Sequence, residues 1–175
     1  MKTAIALWCI VAVGCKQSPV IQQSSGYATM TVFTSEKTLS NNYSASIRGK
    51  QDIDIYVIMK EGAYLYDAKT NSLQPLAKGD HRAAVAGGQD FVKSAPVSLV
   101  LVSDLSRFGN IADHTKLMAA VDAGIVCQNI NIFCASTGLA TVPRATMDQA
   151  ALKRILKLTD NQFPIMNNPV GYPRK

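Results

Sequence analysis

The segment that most constrains the fold of this chain is a long, almost wholly apolar stretch from Thr115 to Thr137, which stops at Gly138. We predict that it is a helix whose first half is rich in small residues, namely Ala119, Ala120, Ala123 and Gly124. A helix that is apolar on nearly every side must be buried between layers or against another subunit, and small residues permit a close backbone approach. The rest of the protein has to supply those covering surfaces.

A strand hairpin precedes this helix in the sequence. Residues Asp52 to Met59 alternate and then become continuously apolar, Glu61-Gly62 is a turn signal, and Ala63 to Asp67 returns as the partner strand. A second turn leads into Leu73 to Leu76, where Pro75 favours an edge strand or its margin. The pattern therefore predicts a hairpin extended by a third strand at the edge of a sheet.

Several further elements complete the pattern. The run from Ala95 to Ser103 is typical of a strand buried on both faces, which places it at the centre of the sheet. Asp80 to Val85 predicts a short helix, Ala140 to Val142 a short strand, and Gln162 to Tyr172 the last strand. The capping-box spacing from Thr146 to Gln149 predicts the start of another helix. Its expected core face carries Ala151, Leu152, Ile155, Leu156 and Leu158. This order predicts an α+β fold with a mixed, mainly antiparallel sheet flanked by helices.

The N-terminal residues have the character of a targeting segment. An apolar run from Ala4 to Val13 follows a single lysine and is too short for a bilayer, which needs about 20 apolar residues. The sequence from Ala12 to Cys15 resembles the box at which bacterial lipoproteins are cleaved and lipidated. We predict a leader over residues 1–15, a polar linker over 16–45 and a domain over 46–175, with an extracytoplasmic protein attached to the membrane through lipidated Cys15. The alternative is a buried N-terminal strand or helix in a cytoplasmic protein.

The net charge of +6 over 175 residues favours anionic partners such as phosphates or acidic membrane surfaces. The basic residues are scattered along the chain, and no tract alternates them with aromatic residues as single-strand binders do. We therefore expect no nucleic-acid partner.

The usual catalytic signatures are missing from the sequence. It contains no Gly-Xaa-Ser-Xaa-Gly elbow, Walker loop, G-x-G-x-x-G or HExxH motif. His81 and His114 are isolated, and no Cys or His pair has the spacing of a zinc site. Asp52 and Asp54 are expected to be a solvated pair where a strand begins. We predict neither a metal site nor a catalytic acid, base or nucleophile supplied by the protein.

The cysteines do not indicate a disulfide-built fold. Cys127 and Cys134 would lie about 10 Å apart along one helix, whereas a disulfide needs Cα atoms within about 7 Å. We expect both to pack as small apolar groups.

Gly138 and the C-terminus each have two interpretations. Gly138 is either the glycine that ends a helix in the left-handed conformation, or the centre of a backbone segment that presents N–H groups to a planar, hydrogen-bond-accepting ligand. That segment is Thr137 to Leu139. Arg174-Lys175 is either a frayed end or an anion clamp.

Four blocks of this sequence, in order, resemble the nitroreductase family, in particular its branch of SagB-type (thiazole/oxazole-forming) dehydrogenase-like proteins. The blocks are QDIDIYVIMKEGAYLYDAKTNSLQPLAKGDHR, QDFVKSAPVSLVLVSDLS, DAGIVCQNINIFCASTGLATVPR and PVGYPRK. The resemblance runs from about Ser46 to Lys175. It implies an α+β sandwich that dimerises through long helices and holds FMN at the dimer interface, where the flavin N5 passes hydride from NAD(P)H to a small organic acceptor.

The same resemblance implies residues that contact the cofactor. Backbone after the long helix is expected to approach the flavin, and basic residues are expected to hold its phosphate. The implied contacts are Thr137, Gly138, Leu139, Arg144, Arg174 and Lys175. Thr137 replaces the acidic residue usual before that glycine. A further flavin-contacting block, usually Pro-Ser-Xaa-Xaa-Asn-Xaa-Gln, survives in part, with Ser46 and Gln51 matching and Gly49 in place of the asparagine.

One departure from the family pattern bears on function. Family members usually begin with a helical region that carries an arginine-rich phosphate motif, whereas the first 45 residues here contain no arginine. The chain thus resembles an N-terminally truncated member. The alternatives to an FMN-dependent oxidoreductase are a non-catalytic binding protein and a half-domain that a partner chain completes.

Overall fold

A six-stranded sheet forms the middle of the protein, with helices against both of its faces. The computed structural model describes residues 50–109 and 111–173. The strands are β1 (Ile53–Met59), β2 (Gly62–Asp67), β3 (Ser72–Lys78), β4 (Val97–Asp104), β5 (Ala140–Thr141) and β6 (Gln162–Gly171). The α-helices are α1 (Arg82–Ala86), α2 (Asp113–Ser136) and α3 (Gln149–Ile155), and short 3-10 helices span Asp90–Ser94 and Leu105–Phe108. The strand order is β3-β2-β1-β4-β6-β5.

The strand β4 lies inside the sheet, as its apolar sequence predicted. Its residues from Val97 to Ser103 are all buried, and it pairs with β1 from Ile53↔Ser103 to Met59↔Val97. On its other side it pairs with β6. The hairpin of β1 and β2 is confirmed, and β3 with Pro75 is an edge strand as expected.

Every strand pairing among the described residues is antiparallel. The predicted α+β fold with a mainly antiparallel sheet is therefore confirmed, while the parallel component of a mixed sheet is not seen in this part of the chain. The reason lies in the connection from β4 to β6. The chain crosses one face of the sheet through α2 and returns along the other through α3, so it enters β6 at the end where β4 finished.

The two helical layers bury separate sets of apolar side chains. On one face α2 packs over β1, β4 and β6 with a core that includes Leu99, Leu101, Val126 and Ile130. On the other face α1, the first 3-10 helix and α3 enclose a core that includes Ile58, Val85, Val100, Leu152 and Leu156. Full burial of one such side chain contributes about 1.5–3 kcal/mol, so the packing on both faces of the sheet stabilises the fold.

The helix α2 is apolar on both of its long faces. It begins at Asp113, two residues before the predicted start, because Thr115 Oγ1 accepts the Ala112 N–H in the first turn at 3.4 Å. Its sheet-facing residues are buried, whereas four apolar residues on the opposite side are 39–60% exposed: Leu117, Val121, Ile125 and Ile132. We call these four the outer stripe. By length and composition alone α2 could cross a membrane, as the core helices of soluble proteins also could.

Two helix starts differ from their predicted positions. Asp148, not Thr146, caps α3, because its carboxylate accepts the Ala151 N–H at 2.9 Å. The first helix begins at Arg82 rather than Asp80, since the Asp80 carboxylate accepts the Arg82 N–H at 3.1 Å and also binds its guanidinium. In both cases an aspartate outside the helix satisfies an orphan backbone donor.

Several predictions fall outside the described residues. These are the leader and its boundary at residue 15, lipidation of Cys15, the linker to residue 45, and the positions of Ser46, Arg174 and Lys175. They stay predictions.

Replacement of Gly87 tests the packing of α1 on the loop before α3. Gly87 has φ 54°, and a Cβ there would lie 2.8 Å from the Met147 Cα. We expect Gly87→Ala to lower the free energy of unfolding by about 2–5 kcal/mol, from backbone strain and overpacking together. Gly88 also has positive φ but open space around it, so Gly88→Ala should cost only about 1–2 kcal/mol. Equal losses in urea unfolding would contradict the predicted contact.

Candidate functional site

The sheet brings the segment after α2 next to the C-terminal end of β6. Ala140 pairs with Gly171 and Thr141 with Val170. The backbone that follows Gly138 therefore lies beside the last residues of the sheet, from which the chain continues to the exposed Tyr172. Two sequence blocks that are about thirty residues apart meet at this corner, which we call the Gly138 corner.

Gly138 ends the helix in the left-handed conformation, as the first of its two interpretations predicted. Its φ of 71° is left-handed, and the Leu139 N–H donates to the Cys134 carbonyl at 2.9 Å, which closes the helix end. The Thr137 N–H also bonds within the helix, to Phe133 and Cys134. Of the three predicted ligand-facing amides, only that of Gly138 makes no backbone hydrogen bond within the described chain. No atom lies within 4 Å of where its Cβ would be, so a planar group has room to approach the backbone.

A buried polar network holds the Gly138 corner in place. Asn168 of β6 is fully buried, and its amide donates to Asn131 Oδ1 at 3.0 Å and to Thr141 Oγ1 at 3.2 Å. Its carbonyl oxygen accepts the Cys127 thiol at 3.0 Å. These bonds tie β6 to α2 and β5. Sequence analysis missed them, although two adjacent asparagines inside an apolar strand were a signal of buried hydrogen bonding.

Gln51 lies at the opposite end of the sheet from Gly138. It precedes β1, whose first residue pairs with the end of β4, whereas the Gly138 corner lies beside Val170, which pairs with the start of β4. The six residue steps from Val97 to Ser103 span about 20 Å. One copy of the chain therefore does not bring Gln51 and Gly138 together.

Arg144 lies inside the protein and not on an open surface. It is 7% exposed, and its Nη atoms donate to the carbonyls of Val85 and Ala86 at 3.1 and 2.8 Å and to Asn167 Oδ1 at 2.7 Å. Nε donates to Gln89 Oε1 at 2.7 Å. Burial lowers the pKa of Arg144. These contacts cap the C-terminal end of α1, so the guanidinium is engaged internally by uncharged acceptors.

The aspartates near the start of β1 are not the solvated pair that was expected. Asp52 is fully buried, and burial, its largest influence, raises its pKa to about 6. Asp54 binds Arg107 at 2.6 Å, and burial raises its pKa despite that opposing charge. The expectation failed because the covering group, the fully buried Asp122 of α2, is distant in sequence. An acid within an apolar helix was the available signal.

The two histidines and the two cysteines of α2 lie outside the Gly138 corner or inside the core. His81 Nε2 lies 3.0 Å from the Lys78 carbonyl, and His114 is exposed. Cys127 and Cys134 are buried free thiols, as predicted. Among residues 50–109 and 111–173, no group of three or more His, Cys, Asp or Glu side chains could hold a metal ion.

Replacement of Arg144 tests its role as an internal clamp. We expect Arg144→Met to lower the free energy of unfolding by about 3–5 kcal/mol, because each buried acceptor left without a donor costs about 1–3 kcal/mol. Arg154 is exposed on α3, and Arg154→Met should change stability by no more than about 0.5 kcal/mol. Thermal and urea unfolding measure both. An Arg144→Met variant as stable as Arg154→Met would show that the clamp contributes nothing.

Solved structures share this fold. The chain superposes on a candidate nitroreductase from Ralstonia eutropha JMP134 with a TM-score of 0.67 and 30% identity, covering 74% of this chain and 62% of that one. It also superposes on the Escherichia coli microcin synthetase McbBCD complex with truncated pro-MccB17 bound, with a TM-score of 0.71 over 99% of this chain and 64% of that one. The identity to the second is 13%, so that likeness shows the fold alone.

Sequence comparison gives a matching result. The chain is 30% identical to the FMN reductase [NAD(P)H] of Bacillus subtilis (strain 168) over 104 residues, which are 51% of this chain and 42% of that protein. It thus spans less than half the length of this curated relative. The model of the nitroreductase family matches residues 28–172. That match includes the Gly138 corner, both helical layers and all six strands, and the chain belongs to the nitroreductase family.

Proposed function

We propose that this protein is an FMN-dependent oxidoreductase of nitroreductase type, with its flavin held at the Gly138 corner of a homodimer. The observation that carries the proposal is the open, left-handed Gly138 beside the end of β6, in a chain of this family. Support for a flavin and for NAD(P)H comes from the relative named FMN reductase [NAD(P)H]. That the bound flavin is FMN, and that the reaction is hydride transfer, are our proposals for this protein.

The residues at the corner fit a flat, hydrogen-bonding ring system. The Gly138 N–H is available to an acceptor on the ring edge, and the absence of a side chain leaves the backbone open to it. Arg174 and Lys175 follow Tyr172 and Pro173 on the chain that leaves β6 at this corner, so they are our candidates for the phosphate. Arg144 is directed inward, and its proposed part is to fix the loop after β5.

A bound flavin supplies the redox chemistry, in which N5 passes hydride from NAD(P)H to a small organic acceptor. The protein's contribution is then position and electrostatics. This agrees with a corner built from backbone amides and neutral side chains rather than from an acid and a base.

The proposed dimer follows from two features of the single copy. The outer stripe of α2 exposes four apolar side chains along one helix face, and no described element covers it. Gln51 and the Gly138 corner lie at opposite ends of the sheet, so a flavin that uses both needs Gln51 of the partner subunit. Pairing of two α2 helices through the outer stripe would bury that face and bring the two ends toward each other.

The second candidate function is a non-catalytic binding protein or a half-domain completed by a different chain. It is favoured by the likeness in fold to a component of an assembly that contains partner chains. Membrane attachment through Cys15 and an extracytoplasmic location remain predictions.

Flavin binding at Gly138 can be tested with two alanine variants. The purified chain should bind FMN, measured by flavin fluorescence quenching, and Gly138→Ala should weaken binding by about tenfold, equivalent to about 1.4 kcal/mol. Gly79 also has positive φ and open space around it and follows β3 at the far edge of the sheet, so Gly79→Ala controls for backbone strain. A chain that takes up no FMN would overturn the enzyme proposal. Equal affinities in the two variants would place the flavin elsewhere.

The outer stripe can be tested through the oligomeric state. Ile125 is its central residue, and Ile125→Lys should raise the dimer dissociation constant by about 30-fold, since an interface hot spot contributes about 2 kcal/mol. Ile111 is similarly exposed but precedes the helix, so Ile111→Lys should leave the dimer intact. Sedimentation equilibrium distinguishes the two. A monomeric parent chain, or a dimer that Ile125→Lys does not weaken, would refute pairing through α2.

A further inference from the structure

The chain enters β1 through a buried polar cluster at the end of the sheet opposite the Gly138 corner. Asp52 lies just before β1 and Asp122 lies in the first half of α2, and both are fully buried. Ser103 at the end of β4 donates its hydroxyl to Asp52 Oδ2 at 2.5 Å. The side chain of Asp122 approaches Asp52 within hydrogen-bonding range. Two carboxyl groups from different layers of the fold thus meet away from water.

The guanidinium of Arg107 is bound to acceptors beside Asp52. Arg107 donates to Asp54 Oδ2 at 2.6 Å and to the Gln51 carbonyl, and its Nε lies 3.6 Å from the Asp104 carboxylate. The positive charge of Arg107 therefore interacts more strongly with the carboxylates of Asp54 and Asp104 than with that of Asp52. Two buried carboxylates in contact cannot both ionise without a large electrostatic cost.

One atom of the pair lacks a hydrogen-bond donor. Asp52 Oδ1 is buried and receives no N–H or O–H from residues 50–109 or 111–173. Oδ1 gains a partner when Asp52 itself keeps its proton, because the protonated oxygen can then donate to a carboxyl oxygen of Asp122. A proton held between the two acids satisfies Oδ1 and removes one of the two negative charges.

We propose that Asp52 and Asp122 share one proton and form a pH-sensitive latch that ties the start of β1 to α2. The latch holds the backbone on both sides of Asp52. The Asp52 carbonyl accepts the Asp104 N–H at 2.8 Å, and the preceding Gln51 has a left-handed φ of 49°, a conformation that a residue with a side chain keeps only when its surroundings fix it. Loss of the shared proton sets the two carboxylates against each other and loosens this end of the sheet. The latch does not depend on flavin binding.

The direction of the pH effect follows from the shift of Asp52. Burial, the largest influence, and contact with Asp122 together raise the pKa of Asp52 from 3.8 to about 6, while the hydrogen bond from the Ser103 hydroxyl opposes the change. A group whose pKa is raised on folding stabilises the protein fully below its unfolded value. That contribution is lost as the pH rises through the folded value. The latch is therefore closed near pH 4 and open above about pH 6.

Unfolding by urea between pH 4 and 7.5 tests the latch with matched variants. The wild-type unfolding constant should rise about a hundredfold more over this range than that of Asp52→Asn, because a shift of about two pKa units corresponds to that factor. Asp122→Asn should flatten the profile similarly, since its amide gives Asp52 a permanent donor. Asp113 is fully exposed on the same helix, and Asp113→Asn should keep the wild-type profile. An Asp52→Asn profile that parallels the wild type would overturn the proposal.

Carboxyl-carbon NMR of the wild-type chain gives a result even if a variant does not fold. The Asp52 carboxyl carbon should titrate near pH 6 rather than near its ordinary value of 3.8. The Asp104 amide should also exchange with solvent faster above pH 6 than the Val100 amide, after correction for intrinsic rates. Titration of the Asp52 carbon at its ordinary value of 3.8 would refute the shared proton, as would an Asp104 amide whose protection does not change.

Discussion

The burial of β4 is the constraint on which the other elements depend. A strand with no polar outer face needs a neighbour on each edge and a covering layer on each side. Here β1 and β6 supply the edges, α2 covers one face, and α1 and α3 cover the other. Because the chain must cover both faces between β4 and β6, it crosses the sheet twice, which makes β6 antiparallel to β4. The same route brings the end of α2 to the end of β6.

Each functional feature occupies an end of that sheet. At one end Asn168 joins β6 to α2 and β5, and the glycine that stops α2 stays open. At the other end the chain enters β1 among acids and one arginine. The length of β4 separates these two ends within one copy of the chain.

The elements that sequence predicted well are those whose signal lies within one stretch of chain. The apolar run before Gly138 and the Ala95–Ser103 run gave α2 and β4 almost to the residue, and Pro75 indicated an edge. The predictions that failed depend on contacts distant in sequence. Asp52 is buried because Asp122 and Ser103 close over it. Arg144 is directed inward because the buried carbonyls of Val85 and Ala86 at the end of α1 accept its N–H groups. No pattern within a short stretch of sequence predicts a contact between residues that are so far apart along the chain.

Because Gln51 and the Gly138 corner are far apart in one copy, a substitution at either position would affect the two sites of the proposed dimer in a predictable way. Each of its two sites would draw the glycine from one copy and the glutamine from the other. In a homodimer, either defect alone impairs both sites. In a mixed dimer of one chain altered at Gly138 and one altered at Gln51, both defects fall in a single site and the other site is whole. Two variants that are each inactive as homodimers would thus complement one another in a mixed dimer. This complementation would follow from the length of β4, which keeps Gln51 and Gly138 of one copy apart.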